Sequence, residues 1–215
     1  AAESGGIPNP ADLPYVEQED IFECDGALRT YMRNMADAIP LTSENENAIW
    51  DEIAELHDLM RRKLYPFAFV VRLHVKLFEK CRNPDTLYEV FSQSAVQAIG
   101  GTGEVIRLMP TAREELLDCL KELHSAYAGG DPETIDAARN LLVELMMTYP
   151  VQMDQIFRSF DMLRTYAGQL KNPGREAESL LAEELVCTME EFNSVYQELE
   201  GIYHLLDEKR RVLAE

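Results

Sequence analysis

An all-α protein is what this 215-residue sequence predicts: an elongated assembly of several helices closed by a long C-terminal one. Three observations point that way. From Ile21 onward, apolar residues recur at three- and four-residue steps. Pro, Gly and Asn punctuate the chain at intervals that suit helices rather than strands. Strand-like alternation is nowhere convincing, and no internal repeat is present. The 46% hydrophobic content is enough for a sizeable core, in one large domain or two small ones.

Taken in order, residues 1–20 carry Gly, Pro, Ser and acids without period and read as a flexible leader. Ala27, Leu28, Tyr31, Met32, Met35 and Ala38 share one helical face, and Pro40 ends that helix. Ser43 with Glu46 has the form of a capping box, with Thr42 as an alternative cap. It opens a helix with Ile49, Ile53, Leu56 and Met60 inward. A third helix runs from about Pro66 to Cys81, with Phe67, Val70, Val71, Leu77 and Phe78 on its apolar face. Asn83-Pro84-Asp85 restarts a helix to about Ile99. Gly100-Gly101-Thr102-Gly103 is the clearest break and reads as a linker. It lacks the Lys-Ser/Thr ending of a phosphate loop.

Beyond Pro110, Thr111–Ala128 is helical and ends at Gly129-Gly130, a C-cap. Asp131-Pro132 caps and starts the next helix, to Tyr149, and Pro150 starts another, to about Lys171. After the Asn172-Pro173-Gly174 turn, Arg175–Glu215 reads as one very long helix or two in line. No Gly, Asn or Pro ends it, as at a natural terminus that frays or in a segment cut from a longer protein.

Lys and Arg number 20 against 39 Asp and Glu, a formal charge of -19. Freestanding duplex-DNA binders are usually basic, because phosphate neutralisation supplies their non-specific affinity. Nucleic-acid contact therefore requires a local basic patch or a partner that holds the chain in place. Two patches exist: Arg61-Arg62-Lys63, and a stripe of Arg72, Lys76 and Lys80 at four-residue spacing. The alternative for both is ion pairing with the chain's own acids. The longest apolar run, Tyr65 to Leu77, is broken by Arg72 and His74, so no membrane span is expected and the compartment is cytoplasmic.

Catalytic and metal chemistry find no foothold, so no enzyme, cofactor or metal is expected. His57, His74, His124 and His204 are isolated, and no Glu stands three residues before any of them, as a di-iron site would require. Cys24, Cys81, Cys119 and Cys187 show neither CxxC nor zinc spacing and are expected as reduced core thiols. Met146, Met147, Met153 and Met162 are expected in the core.

One segment carries more. It reads Asp25-Gly26-Ala27-Leu28-Arg29-Thr30-Tyr31-Met32-Arg33-Asn34-Met35, then Leu41-Thr42 with Glu46 and Ile49. It resembles conserved region 1.2 of the primary sigma factors of bacterial RNA polymerase. The match lies at Asp25, Arg29, Tyr31, Met32, Arg33, Met35, Leu41, Thr42, Glu46 and Ile49. Departures are Leu28 for the usual Val, Asn34 for Glu, Ala36 for Gly, and the rigid Ile39-Pro40 turn. More loosely, Thr111–Gln169 is similar to the helical non-conserved insert of that family, and Leu206–Glu215 to the lead-in to region 2.

The resemblance implies a domain order: leader 1–20, region 1.2-like helices 21–60, insert-like domain 61–215. It implies a transcription initiation factor that directs polymerase to promoters. Arg29, Tyr31, Met32 and Arg33 would contact the non-template discriminator strand, with guanidinium groups on phosphate or guanine and Met and Tyr against unstacked bases. Read as residues alone, Tyr31 and Met35 fit a core equally well, and the arginines could be solvated or paired with Asp25 and Asp37. Implied partners are the largest subunits of the polymerase core, promoter DNA within the holoenzyme, and region 2 of the same factor. Arg61, Arg62, Lys63, Arg72, Lys76 and Lys80 are the candidate polymerase or DNA contacts of the insert. Two rivals from other classes are an acidic helical adaptor or scaffold that binds a basic protein, and an acidic ligand-binding domain of a transcription regulator.

Overall fold

A computed structural model describes residues 43–172 and 174–214 and contains nine α-helices and no strand among them. Helix α1 spans Ser43–Leu64 and buries Ile53, Met60 and Leu64, with Ile49 and Leu56 half-buried beside them. Its first residue is Ser43 itself, so the cap position falls outside the described residues. Helix α2, Ala68–Lys80, has no solvent face at its start: Phe67, Ala68, Phe69, Val70 and Val71 are all buried. A helix apolar all round belongs in the interior.

Residues 84–99 form two helices where the periodicity predicts one: α3, Pro84–Val90, and α4, Gln93–Ile99. Phe91 is extended and buried against Phe78, with ring centroids 5.8 Å apart. Ser92 restarts the helix by accepting from the Ala95 backbone N–H at 3.2 Å. The carbonyls freed at the break are satisfied from far along the chain. The Gln152 backbone N–H donates to the Val90 carbonyl at 2.8 Å, and its side-chain amide donates to those of Tyr88 and Phe91.

The expected linker at Gly100 is only a tight turn. Gly100 and Gly101 have φ of 120° and 94°, a region that favours glycine, and α5 then runs from Thr102 to Gly129 straight over Pro110. An interior proline costs about 3 kcal/mol. Here it is exposed, while Val105, Met109, Ala112, Leu116 and Leu120 keep one face buried on both sides of it. Burial of several such side chains at about 1.5–3 kcal/mol each outweighs the lost bond.

Local chemistry operates as expected at the next junction. Gly130, with φ 72°, closes α5, and the Asp131 carboxylate accepts from the Thr134 backbone N–H to open α6, Pro132–Thr148. Helix α7 is Met153–Leu170, later than Pro150, because Val151 and Gln152 are held against the end of α3.

The C-terminal stretch breaks in two. Helix α8, Arg175–Leu180, runs into a π-turn, Leu181–Leu185. Val186 then adopts φ 52° and ψ 49°, a strained conformation for a β-branched residue. Helix α9, Met189–Ala214, is the long C-terminal helix. The break has a sequence signature, a reciprocal capping box. The Glu191 carboxylate accepts from the Thr188 backbone N–H at 2.8 Å, and Thr188 Oγ1 accepts from the Glu191 backbone N–H at 3.2 Å.

Glu46–Ala214 form one compact unit. Helix α5 packs against α6 and α2. Helix α9 runs antiparallel to both α1 and α7. On the α7 side, Arg164 lies 4.5 Å from the ring centroids of Phe160 and Tyr203 and makes a bidentate pair with Glu200. The boundary expected after residue 60 falls inside α1, which continues because Met60 and Leu64 sit on the same buried face. Cys81, Cys119 and Cys187 are free thiols. Met146 is buried, Met147 and Met153 are half-buried, and Met162 is exposed. Among the described residues no helix is long and apolar enough to cross a membrane.

Thr188→Ala removes one half of the capping box. Urea denaturation is expected to show a loss of about 1 kcal/mol; an unchanged midpoint would mean that the break is held by packing alone.

Candidate functional site

Arg29, Tyr31, Met32 and Arg33 lie outside the described residues. The six basic candidates in the body are all placed, and they fall into two groups. Arg61, Arg62, Lys63 and Arg72 are bound to the chain's own acids. Arg61 pairs with Asp58 at 2.8 Å and donates to the Val151 carbonyl at 3.3 Å. Arg62 crosses to Glu144 on α6 at 2.7 Å, and Lys63 crosses to Glu198 on α9 at 2.5 Å. Arg72 reaches the π-turn, pairing with Glu184 at 2.6 Å and donating to the Glu183 carbonyl at 2.9 Å. Lys76 and Lys80 are exposed on α2 and make no ion pair among the described residues. The four-residue stripe therefore presents two free ammonium groups, and its third member ties α2 to the π-turn.

The Arg62–Lys63 end of α1 opens onto a cleft of ≈ 540 Å³ between α1, α6 and α9. Its floor is apolar, built from Phe67, Val143, Leu185 and Val195, with Leu59 at the lip. Arg139 on α6 closes the far wall. Its guanidinium donates to both Glu191 carboxylate oxygens at 2.9 and 3.2 Å and to the Val186 carbonyl at 3.1 Å. The Arg139 hydrogen bond is the main cause that draws the Glu191 carboxyl down to about 2, helped by the Thr188 N–H. Beside it, burial pushes the Cys187 thiol up to about 12, so the sulfur stays protonated and un-nucleophilic near neutral pH. Each cation on the cleft is already matched to a carboxylate. What the cleft offers a ligand is therefore apolar surface framed by ion pairs. Arg139 escaped the sequence reading, and Glu191 entered it only as half of the acidic run Glu190-Glu191; Thr188-x-x-Glu191 marks the capping box, but nothing local marks Arg139, fifty-two residues away. Among the described residues no group of three or more His, Cys, Asp or Glu could hold a metal ion.

A second polar cluster sits where α1 meets α2. His74 is buried, and its Nδ1 lies 2.8 Å from the Val70 carbonyl, so Nδ1–H donates there and Nε2 is left as an acceptor. The Tyr65 ring meets it edge-on at 5.1 Å. The buried His57 Nε2, Tyr65 Oη and His74 Nε2 have no hydrogen-bond partner among the described residues. Burial, reinforced by the Arg61 guanidinium and only partly opposed by the Val70 carbonyl, pushes His74 down to about 4. Burial, then Arg210 and Arg61, push His57 down to about 4 as well.

Both histidines are thus neutral in the native state where the unfolded chain, with values near 6.5, takes up protons. Their stabilisation is full above pH 6.5 and is lost as the pH falls towards 4, by up to about 3 kcal/mol for the buried His74. The Glu191 carboxylate acts in a lower window, between 4.5 and about 2. Urea unfolding at about pH 7.5 and about pH 4.5 should show this loss, and His74→Phe should remove part of it. An NMR titration that finds His74 protonating near 6.5 would defeat the prediction.

No protein-family model matches the chain, and neither a curated protein nor a solved structure is significantly similar to it.

Proposed function

We propose that this chain is part of a primary sigma factor of bacterial RNA polymerase and acts in the cytoplasm by binding, without a catalytic step. In this reading Arg29, Tyr31, Met32 and Arg33 contact the discriminator strand of melted promoter DNA inside the holoenzyme. The helical body α1–α9 lies against the polymerase core, with Lys76 and Lys80 available to an acidic or phosphate-bearing surface.

Besides the match at residues 25–49, the observation that carries this reading is where the body begins and returns. Helix α1 follows the region 1.2-like segment in sequence and carries its last matched positions, Glu46 and Ile49, and α9 comes back antiparallel to α1. Lys209 at the end of α9 is ion-paired with Glu52 near the start of α1. Arg210 lies 4.7 Å above the Phe157 ring on α7, and the His57 ring of α1 meets the same phenylalanine at 6.3 Å. The body is therefore an excursion whose entry and exit are side by side, the geometry that lets a domain be inserted between two segments that stay together. In the sigma family, regions 1.2 and 2 are such a pair. Of the segment similar to the lead-in to region 2, residues 206–214 lie on α9, the returning helix.

The test is the lifetime of the open promoter complex formed by the full-length factor with core polymerase. Stacking against an unpaired base is worth about 1–3 kcal/mol, so Met32→Ala or Arg33→Ala should shorten the half-life at least about fivefold. The loss should depend on whether the discriminator is G-rich or C-rich. Unchanged lifetimes on both promoter types would remove the DNA role.

A further inference from the structure

The α1–α9 seam continues the cleft described above. Beyond Leu59 it opens into a second hollow of ≈ 270 Å³, with Leu56, Leu59 and Leu205 as its apolar surface and Glu52, Glu55 and Lys209 around it. Leu59 lines both hollows, so they adjoin there as the two parts of a groove along α1. Leu59 and Leu205 are 43% and 47% exposed, unusual for two large aliphatic residues on facing helices. Along α1 the groove runs from Glu52 to Lys63, about three helical turns or about 17 Å.

Charge decides what fits it. The cations on its rim are spent: Arg62 on Glu144, Lys63 on Glu198, Arg139 on Glu191, and Lys209 on Glu52. Among the described residues Glu55 has no ion-pair partner. Asp136 reaches only Arg139, at 3.6 Å, a guanidinium already held by Glu191. The unmatched charge on the rim is negative, on a chain of net charge -19.

We infer that this groove is a docking site for an amphipathic helix of a partner protein, about twelve residues long, with an apolar stripe at i, i+3 or i+4 and i+7 and Lys or Arg along its flanks. The stripe seats between Leu59 and Leu205 and over Phe67 and Val143. The flanking cations meet Glu55 and Asp136. This names a partner chemistry beyond the promoter reading and stands on separate residues.

The probe is a fluorescein-labelled helical peptide of about sixteen residues with leucines on one face and lysines on both flanks. A control carries the same leucines between glutamates. Anisotropy against the full chain is expected to show the basic peptide binding at least about tenfold tighter than the acidic one. A Leu59→Glu/Leu205→Glu double variant should weaken the basic peptide at least about tenfold. Those glutamates add negative charge, so indiscriminate attraction between an acidic protein and a basic peptide would instead tighten binding. Both positions are exposed, and circular dichroism checks that the variant is folded. Glu55→Lys, which leaves the apolar seat intact, should also weaken the basic peptide.

Failure of both peptides to bind overturns the inference, as does unchanged or tighter binding to the double variant. Light scattering that shows a dimer of the native chain, dissolved by the same two glutamates, would make a second copy the occupant and overturns it too. None of these results bears on Met32 and Arg33, so the promoter reading stands or falls separately.

Discussion

Five consecutive buried residues, Phe67 to Val71, impose the main constraint on this molecule. A helix that begins with no solvent face must be enclosed, and no single neighbour can do it. The Phe69 ring meets Tyr166 of α7 edge-on at 5.1 Å, and Phe78 packs on Phe91 and Tyr149. Phe67 floors the cleft between α6 and α9. Two polar side chains of α2 also turn into attachments: Glu79 holds Arg113 of α5, and Arg72 holds the π-turn. Helix α5, the π-turn and α3 pack most extensively against this helix, because removing its surface from water, at roughly 25 cal/mol per Å², demands several covering faces.

That enclosure explains the irregular backbone. An uninterrupted helix from 175 to 214 would carry residues 181–188 away from α2. Instead the chain loosens into a π-turn, bends at Val186 and restarts at Thr188, leaving Leu185, Val186 and Cys187 buried. The left-handed Val186 is a strained position, of order 1–3 kcal/mol. Its carbonyl accepts from Arg139, and the Cys187 carbonyl accepts from Tyr127 at 3.1 Å. The bend is thus fastened from α6 and α5, and the same fastening builds the wall of the cleft.

Acidic composition has a similar two-sided role. The excess of carboxylates consumes four of the six basic residues that sequence singles out, two of them across helices: α1 to α6 through Arg62 and α1 to α9 through Lys63. Exposed pairs of this kind contribute little each, about 0–1 kcal/mol. Their larger consequence is to decide which charges remain for partners: Lys76 and Lys80 on one face, and unmatched carboxylates along the α1–α9 groove.

The sequence by itself determined the helical class and the boundaries whose chemistry is local. Gly130 followed by Asp131-Pro132 ends one helix and starts the next using atoms within four residues, and Asn83-Pro84 is a capping position of the same kind. Ile53 and Met60 could be assigned to the core because a 3.6-residue period needs no knowledge of the partner. Only the tertiary structure decided the rest. Helix α5 passes over Pro110 because of the face it buries against α2. The break at Phe91 depends on Gln152, sixty-one residues away, and the bend at Val186 on Arg139, forty-seven residues away. Whether a lysine is free or a leucine exposed depends on the helix opposite, and periodicity carries no information about that neighbour.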